Sequence, residues 1–222
     1  MKTDASIKKD VLDELAWEKT VDETEIGVEV ENGVVTLSGT VDNYYKKMAA
    51  EKAAKRVYGV KAVAEDIVVK FGDSYKKTDK EIAKAVVNAL EWNISVPKDQ
   101  IMVKVEDGWV YLTGQVNWDF QRDAAKKAIE NILGVKYVSN NITLKQEVKT
   151  GDIKNKIVKA FERSADLEAK NIKVDVDGHT VTLKGTVHSL AEKEEAREAA
   201  YKAPGVYHVK NELKIEYYPE YA

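Results

Sequence analysis

Nine of the twelve glycines keep one register three times over: Gly33, Gly39 and Gly59 return as Gly108, Gly114 and Gly134, then as Gly178, Gly185 and Gly205. The stretch GVVTLSGTV from Gly33 recurs as GWVYLTGQV from Gly108 and, one residue longer, as GHTVTLKGTV from Gly178. Self-similarity at so long a period means a folding unit written three times, and it removes most one-domain architectures from consideration.

The apolar positions between the glycines define the unit. Ile7, Val11 and Leu15 correspond to Ile82, Val86 and Leu90 and to Ile153, Ile157 and Phe161, a spacing of four that predicts one buried helix face. Thr78 to Glu81 reads as a capping box opening the second copy of that helix. Ile26, Val28 and Val30 then alternate with polar or small residues, as do Ile101, Val103 and Val105, and Ile172, Val174 and Val176; each is a half-buried strand. Asn32-Gly33, Asp107-Gly108 and Asp177-Gly178 supply the positive φ of a tight hairpin turn. The return strand alternates Val35, Leu37, Gly39 and Val41 inward, matched by Val110, Leu112, Gly114 and Val116, and its glycine is expected to permit a bulge or the close approach of a neighbouring helix. A second helix carries Ala50, Ala53, Ala54 and Val57, with Ser189 to Glu192 as a capping box in the third copy, and Gly59, Gly134 and Gly205 fall where a helix C-terminal glycine belongs. Strands from Val63, Val138 and Val209 close the units.

The order helix, strand, strand, helix, strand predicts an α+β fold: three tandem αββαβ domains, each a three-stranded mixed sheet with two helices on one face, over residues 1–72, 76–147 and 150–218. Units this small have marginal cores, and the joints FGDSYKKT and QEVKTGD are short enough that the units should touch or nearly touch.

A hairpin ending VTLSGTV, a helix EKAAKRVYGV closing on Gly-Val, and a strand opening on Val with Asp-Ile or Asn-Ile further on resemble the BON domain of bacterial OsmY and nodulation proteins, three times across essentially the whole chain. The resemblance implies an αββαβ module with non-enzymatic roles: attachment to phospholipid surfaces, maintenance of the envelope under osmotic stress, and chaperoning of envelope proteins by OsmY-like members.

Composition narrows the partners. The formal net charge is −3, and residues 1–72, 73–149 and 150–222 carry −3, +1 and −1, so none has the basic excess that phosphate neutralisation requires and no nucleic acid is expected. The Gly-x-x-Gly clamp of KH-type RNA binders, whose element order is similar, is missing as well. The longest stretch without a charged residue, Gly108 to Trp118, is too short to cross a bilayer. The amino terminus has no secretory h-region, so the chain as written is expected in the cytoplasm, or in the periplasm if Met1 marks a trimmed start. With no cysteine there is no disulfide or thiolate site.

No constellation for catalysis, cofactor, metal or small-molecule substrate emerges. His179, His188 and His208 lack ligand spacing and read as loop and surface residues; Ser189 is better used as a helix cap than as a nucleophile; Glu192, Glu194, Glu195 and Glu198 form a solvated helix face. Aromatics remain. Trp17 and Trp92 fall just after the first helix's core stripe, where the small domain favours rings that close the core, and Arg163 takes that place in the third copy. Trp109 and Trp118 bracket a return strand and are the better candidates for exposure. With Tyr218 and Tyr221 in the tail EYYPEYA, these four tryptophans are the candidate contacts to a membrane surface or a protein partner. The alternative is a structural protein whose sheet edges and aromatic patches assemble into homo-oligomers or filaments.

Overall fold

Helix α1 (Asp4–Trp17) buries Ile7, Val11 and Leu15; α3 (Asp79–Trp92) buries Ile82, Val86 and Leu90; α5 (Ile153–Arg163) buries Ile153, Ile157 and Phe161. The same stripe thus faces inward three times, because residues four apart stack on one side of a 3.6-residue turn. These helices belong to a computed structural model of the chain that describes residues 2–72, 76–145, 152–164 and 169–216.

Each first helix is followed by a hairpin, a second helix and a closing strand. Module 1 has β1 (Ile26–Glu31), β2 (Val34–Val41), α2 (Tyr44–Arg56) and β3 (Ala62–Val69). Module 2 has β4 (Ile101–Glu106), β5 (Trp109–Val116), α4 (Asp119–Ile129) and β6 (Tyr137–Leu144). Module 3 has β7 (Ile172–Asp177), β8 (Thr180–Val187), α6 (Leu190–Tyr201) and β9 (His208–Ile215). The return strand is central in every sheet, in the orders β1-β2-β3, β4-β5-β6 and β7-β8-β9. It pairs antiparallel with its hairpin partner, Ile101 opposite Gly114 and Ile172 opposite Gly185, and parallel with the closing strand, Val110 opposite Val138 and Val181 opposite Val209. The fold is therefore the expected α+β arrangement of three mixed sheets. Val35, Leu37, Val110, Leu112, Val181 and Leu183 are wholly buried at the centre of the cores.

Three glycine positions work differently from the sequence expectation. Gly39, Gly114 and Gly185 sit at φ 131, 136 and 121, and at Gly114 and Gly185 the close neighbour is no helix. A Cβ on Gly114 would stand 2.0 Å from the carbonyl oxygen of Gln100, and one on Gly185 1.9 Å from that of Asn171. The backbone entering the hairpin's first strand fills the space. The second difference lies at the hairpin of module 3: Asp177 still pairs with Thr180, so the two-residue turn is Gly178-His179 rather than Asp177-Gly178. Asn32-Gly33 and Asp107-Gly108 have positive φ at both residues, whereas in the third turn the positive φ moves to the first position, Gly178. Third, Gly59, Gly134 and Gly205 lie beyond the helix ends, in turns closed by Val60 N–H to Val57 O, Val135 N–H to Ile132 O and Val206 N–H to Ala203 O. Each glycine is the third residue of its turn, at φ 104, 98 and 91, the position where a type II turn needs φ above zero.

By its contacts the chain forms two compact units, one of residues 1–38, 49–66 and 147–222, the other of 39–48 and 67–146. Module 1 contributes to both. In the second unit, Tyr44 from the first turn of α2 is only 2% exposed and is part of the core of module 2, with Met48 packed beside it.

Candidate functional site

The ends of module 2 are set by one carboxylate. Asp79, in the first turn of α3, accepts from the backbone N–H groups of Asp107 and Gly108 at 2.8 and 2.9 Å, tying the start of the helix to the hairpin tip. Asp4 does the same for Asn32 and Gly33 at 2.8 and 2.9 Å. The fourteen residues of α3 then run about 21 Å to the opposite end of the module, where β4 begins, β5 ends and α4 begins.

Apolar side chains are gathered at that far end. Trp92, the last residue of α3, is 87% exposed, and Ile94 follows it into solvent. Trp118 stands at the N-cap of α4, 46% exposed, and Phe120 one turn position further on is also exposed. The charges beneath are internally paired: Asp119 is buried against Arg122. Trp17, at the corresponding end of α1, is 83% exposed. This corrects the expectation that Trp17 and Trp92 close small cores; both rings point to water, because the stripe that ends in Leu15 and Leu90 turns each following tryptophan off the buried face.

Trp109 has a different setting. It pairs across the parallel ladder with Tyr137, ring centroids 4.7 Å apart, and Tyr137 meets Tyr44 edge-on at 6.1 Å. It is 45% exposed, half engaged in an aromatic row that includes the first turn of α2. The three tryptophans of module 2 are therefore not one patch: Trp92 and Trp118 share one end of the module, and Trp109 belongs to the hairpin end. Tyr218 and Tyr221 lie outside the described residues.

Trp118 also breaks a local rule. The equivalent caps are Asn43, whose Oδ1 accepts from Lys46 N–H at 2.8 Å, and Ser189, whose Oγ accepts from Glu192 N–H at 3.0 Å. Tryptophan offers no acceptor, and Gln121 compensates in part by accepting from the N–H groups of Asn117 and Trp118, each at 3.0 Å. Losing a side-chain cap costs about 1 kcal/mol. Positions where local consistency is given up are where function is to be sought. Ile94 and Phe120 had no periodicity to mark them, and only their exposure beside Trp92 and Trp118 brings them into the site.

Two of the three histidines of module 3 are held by the fold rather than loose on the surface, while His208 on β9 is exposed as expected. His179 Nδ1 is 2.7 Å from Gly205 O and its ring leans on Tyr207 at 4.3 Å, while His188 Nδ1 is 3.0 Å from Glu216 O and its ring stacks on Tyr58 at 6.4 Å. Ser189 caps α6 as expected, but Glu192 reaches past it to accept from His188 N–H at 2.8 Å. Among the described residues no group of three or more His, Cys, Asp or Glu is placed to hold a metal ion, and no helix is long and apolar enough to cross a membrane. A cavity of about 240 Å³ opens at the hairpin end of module 1 between Lys2, Asp4, Gly33 and Lys61, but its cations are already engaged, Lys2 with Asp10 and Lys61 with Asn32 O at 2.9 Å.

Three αββαβ modules with these repeated turns match the family model described as the BON domain, over residues 3–70, 78–146 and 149–217. The chain belongs to the BON-domain family. Its BON modules are similar in sequence to Osmotically-inducible protein Y of Escherichia coli (strain K12), 32% identical over 148 residues that cover 64% of this chain and 73% of the relative. Among solved structures, CdsD, a structural protein of the type III secretion system of Chlamydia trachomatis, aligns over 96% of this chain and 93% of its own at 13% identity and a TM-score of 0.29. The C-terminal domain of CdsD aligns over 97% and 100% at 13% identity and a TM-score of 0.26. BON modules 1 and 2 share the Asp clamp on the hairpin and the tryptophan ending the first helix; in module 3 the first helix ends on Arg163 and the hairpin carries His179, held at Gly205 O.

Proposed function

We propose that this BON-domain protein is a non-enzymatic binding protein of the osmotic stress response, and that the far end of module 2 is the face that docks on a phospholipid surface or a protein partner. The observation that carries the reading is the exposure of Trp92, Ile94, Trp118 and Phe120 at one end of one module. Among the described residues, nine of the fourteen large apolar side chains left exposed belong to module 2 and none to module 3; module 1 shares the wet tryptophan ending its first helix, Trp17, but has Asn43 where module 2 has Trp118. At the matching places module 3 has Arg163, Ser189 and Ala191. Tryptophan with a wet edge suits an interface that is apolar on one side and aqueous on the other. The osmotic setting follows from the similarity to Osmotically-inducible protein Y.

The test is cosedimentation of the full chain with vesicles of anionic phospholipid at low salt, together with sedimentation of the protein alone. Binding that falls at least about tenfold in a Trp92→Ala/Trp118→Ala double variant supports the lipid version, since two interfacial rings at roughly 1 kcal/mol or more each amount to that factor. Binding unchanged in the double variant removes this face from the proposal. A protein that sediments as an oligomer without lipid, and dissociates in the double variant, reassigns the face to self-assembly.

A further inference from the structure

Asn32-Gly33 is the one Asn-Gly pair in the sequence, and it forms the two-residue tip of the first hairpin with Asn32 exposed. A glycine amide has no side chain to hinder it, so it is the backbone nitrogen best able to close onto the side-chain carbon of a preceding asparagine. Two opposed contacts act on that nitrogen. Its N–H donates to Asp4 Oδ1 at 2.9 Å, while Lys61 Nζ donates at 2.9 Å to the carbonyl oxygen of Asn32, the oxygen of the same peptide group.

We propose that Asn32 is a site of self-modification by deamidation, held back by Asp4 and primed by Lys61. The Gly33 nitrogen, once its proton has passed to solvent base, attacks Asn32 Cγ; the N–Cγ bond forms, the Cγ–Nδ2 bond breaks, and ammonia leaves after taking a proton from water. The five-membered succinimide is then opened by water at either carbonyl, giving an aspartyl or an isoaspartyl link. When the nitrogen loses its proton, the negative charge spreads onto the Asn32 carbonyl oxygen, where the Lys61 ammonium stabilises it. The Asp4 carboxylate works against this by holding the proton on nitrogen with a charge-assisted hydrogen bond.

Module 2 displays the aspartyl product. Asp107-Gly108 occupies the same turn, with φ of 51 and 79 against 52 and 81, and gives its N–H groups to Asp79 as Asn32-Gly33 gives its own to Asp4. Conversion of Asn32 to Asp therefore leaves the hairpin intact. The isoaspartyl product does not fit, since it adds a backbone carbon to a turn with room for two residues.

The experiment follows the mass gain of about one dalton at Asn32 in the full chain at mildly alkaline pH, with peptide mapping to separate aspartyl from isoaspartyl forms. The folded chain is expected to react more slowly than the chain in urea, Asp4→Ala to react about tenfold faster than wild type, and Lys61→Met to react more slowly. Amide exchange at Val35 and Leu37 reports whether Asp4→Ala keeps its first sheet; if that variant opens, Lys61→Met and the urea comparison decide. Equal rates folded and in urea, or an Asp4→Ala variant that keeps its sheet yet deamidates no faster than wild type, overturn the guard; an unchanged or faster Lys61→Met overturns the priming.

Discussion

Gly114 and Gly178 carry the same kind of φ for different reasons. At Gly114 a side chain would collide with the backbone of Gln100, a partner unable to swing aside, whereas at Gly178 nothing stands within 4 Å and only the φ of 56 is unfavourable. Gly178→Ala is expected to cost about 1–2 kcal/mol, the left-handed penalty alone, and Gly114→Ala distinctly more, enough to make module 2 the first to unfold. Urea titrations of the two variants, followed by far-UV circular dichroism, measure the contrast. Trp118 gives a prediction of opposite sign: Trp118→Ser restores the cap that module 3 has and should stabilise module 2 by about 1 kcal/mol in the same assay, while weakening the docking assigned to that face.

Helix α3 and strand β6 show how elements are secured at their exposed ends. The Glu81 carboxylate accepts from the Thr78 N–H at 2.9 Å and the Thr78 hydroxyl at 2.8 Å, and these bonds, with help from Lys77, lower its pKa. A carboxyl with a folded pKa below its unfolded one contributes stability above the unfolded value and loses it as pH falls through the folded one. The cap should therefore let go on acidification, with the Thr78 amide resonance titrating at a lower midpoint than Glu81 shows in the unfolded chain. At the sheet edge, Asn140 donates through Nδ2 to Arg122 O at 2.8 Å and accepts from Ile142 N–H at 3.3 Å; Asn211 repeats both bonds with Lys193 O and Leu213 N–H. An edge amide occupied in this way is withheld from a foreign strand, which matters most for β6, whose YVSNNITL has no charged residue to repel one. Asn140→Ala should cost about 1–3 kcal/mol, and hydrogen exchange at Ile142 should accelerate.

Across the molecule the modules are not independent beads. Tyr44 belongs to module 1 in sequence and to the core of module 2 in space, edge-on to Tyr137. Truncating a buried aromatic typically costs about 3–5 kcal/mol, and here the loss should fall on module 2. Tyr44→Ala is expected to lower the thermal midpoint of module 2, read from near-UV circular dichroism of its tryptophans, while exchange protection in module 3 stays unchanged. A module 2 that melts as in wild type would show that Tyr44 contributes nothing to it.

The amino-acid order alone determined three αββαβ units, their helix stripes, their hairpins and their buried strand faces, because those features depend on residues within a turn or a ladder step of one another: Ile7 with Val11, Val35 with Leu37, Thr78 with Glu81. It also singled out Trp109 and Trp118 for exposure, while assigning Trp92 to the core. The tertiary structure decided what surrounds each of them. Trp92 is wet because of where the stripe ending at Leu90 leaves the helix, Gly114 is required because Gln100 arrives across an antiparallel ladder, and Tyr44 is buried by a residue 93 positions away, Tyr137. Local periodicity states which face an element buries; only the packing of distant segments states what covers that face and which side chains are left for a partner.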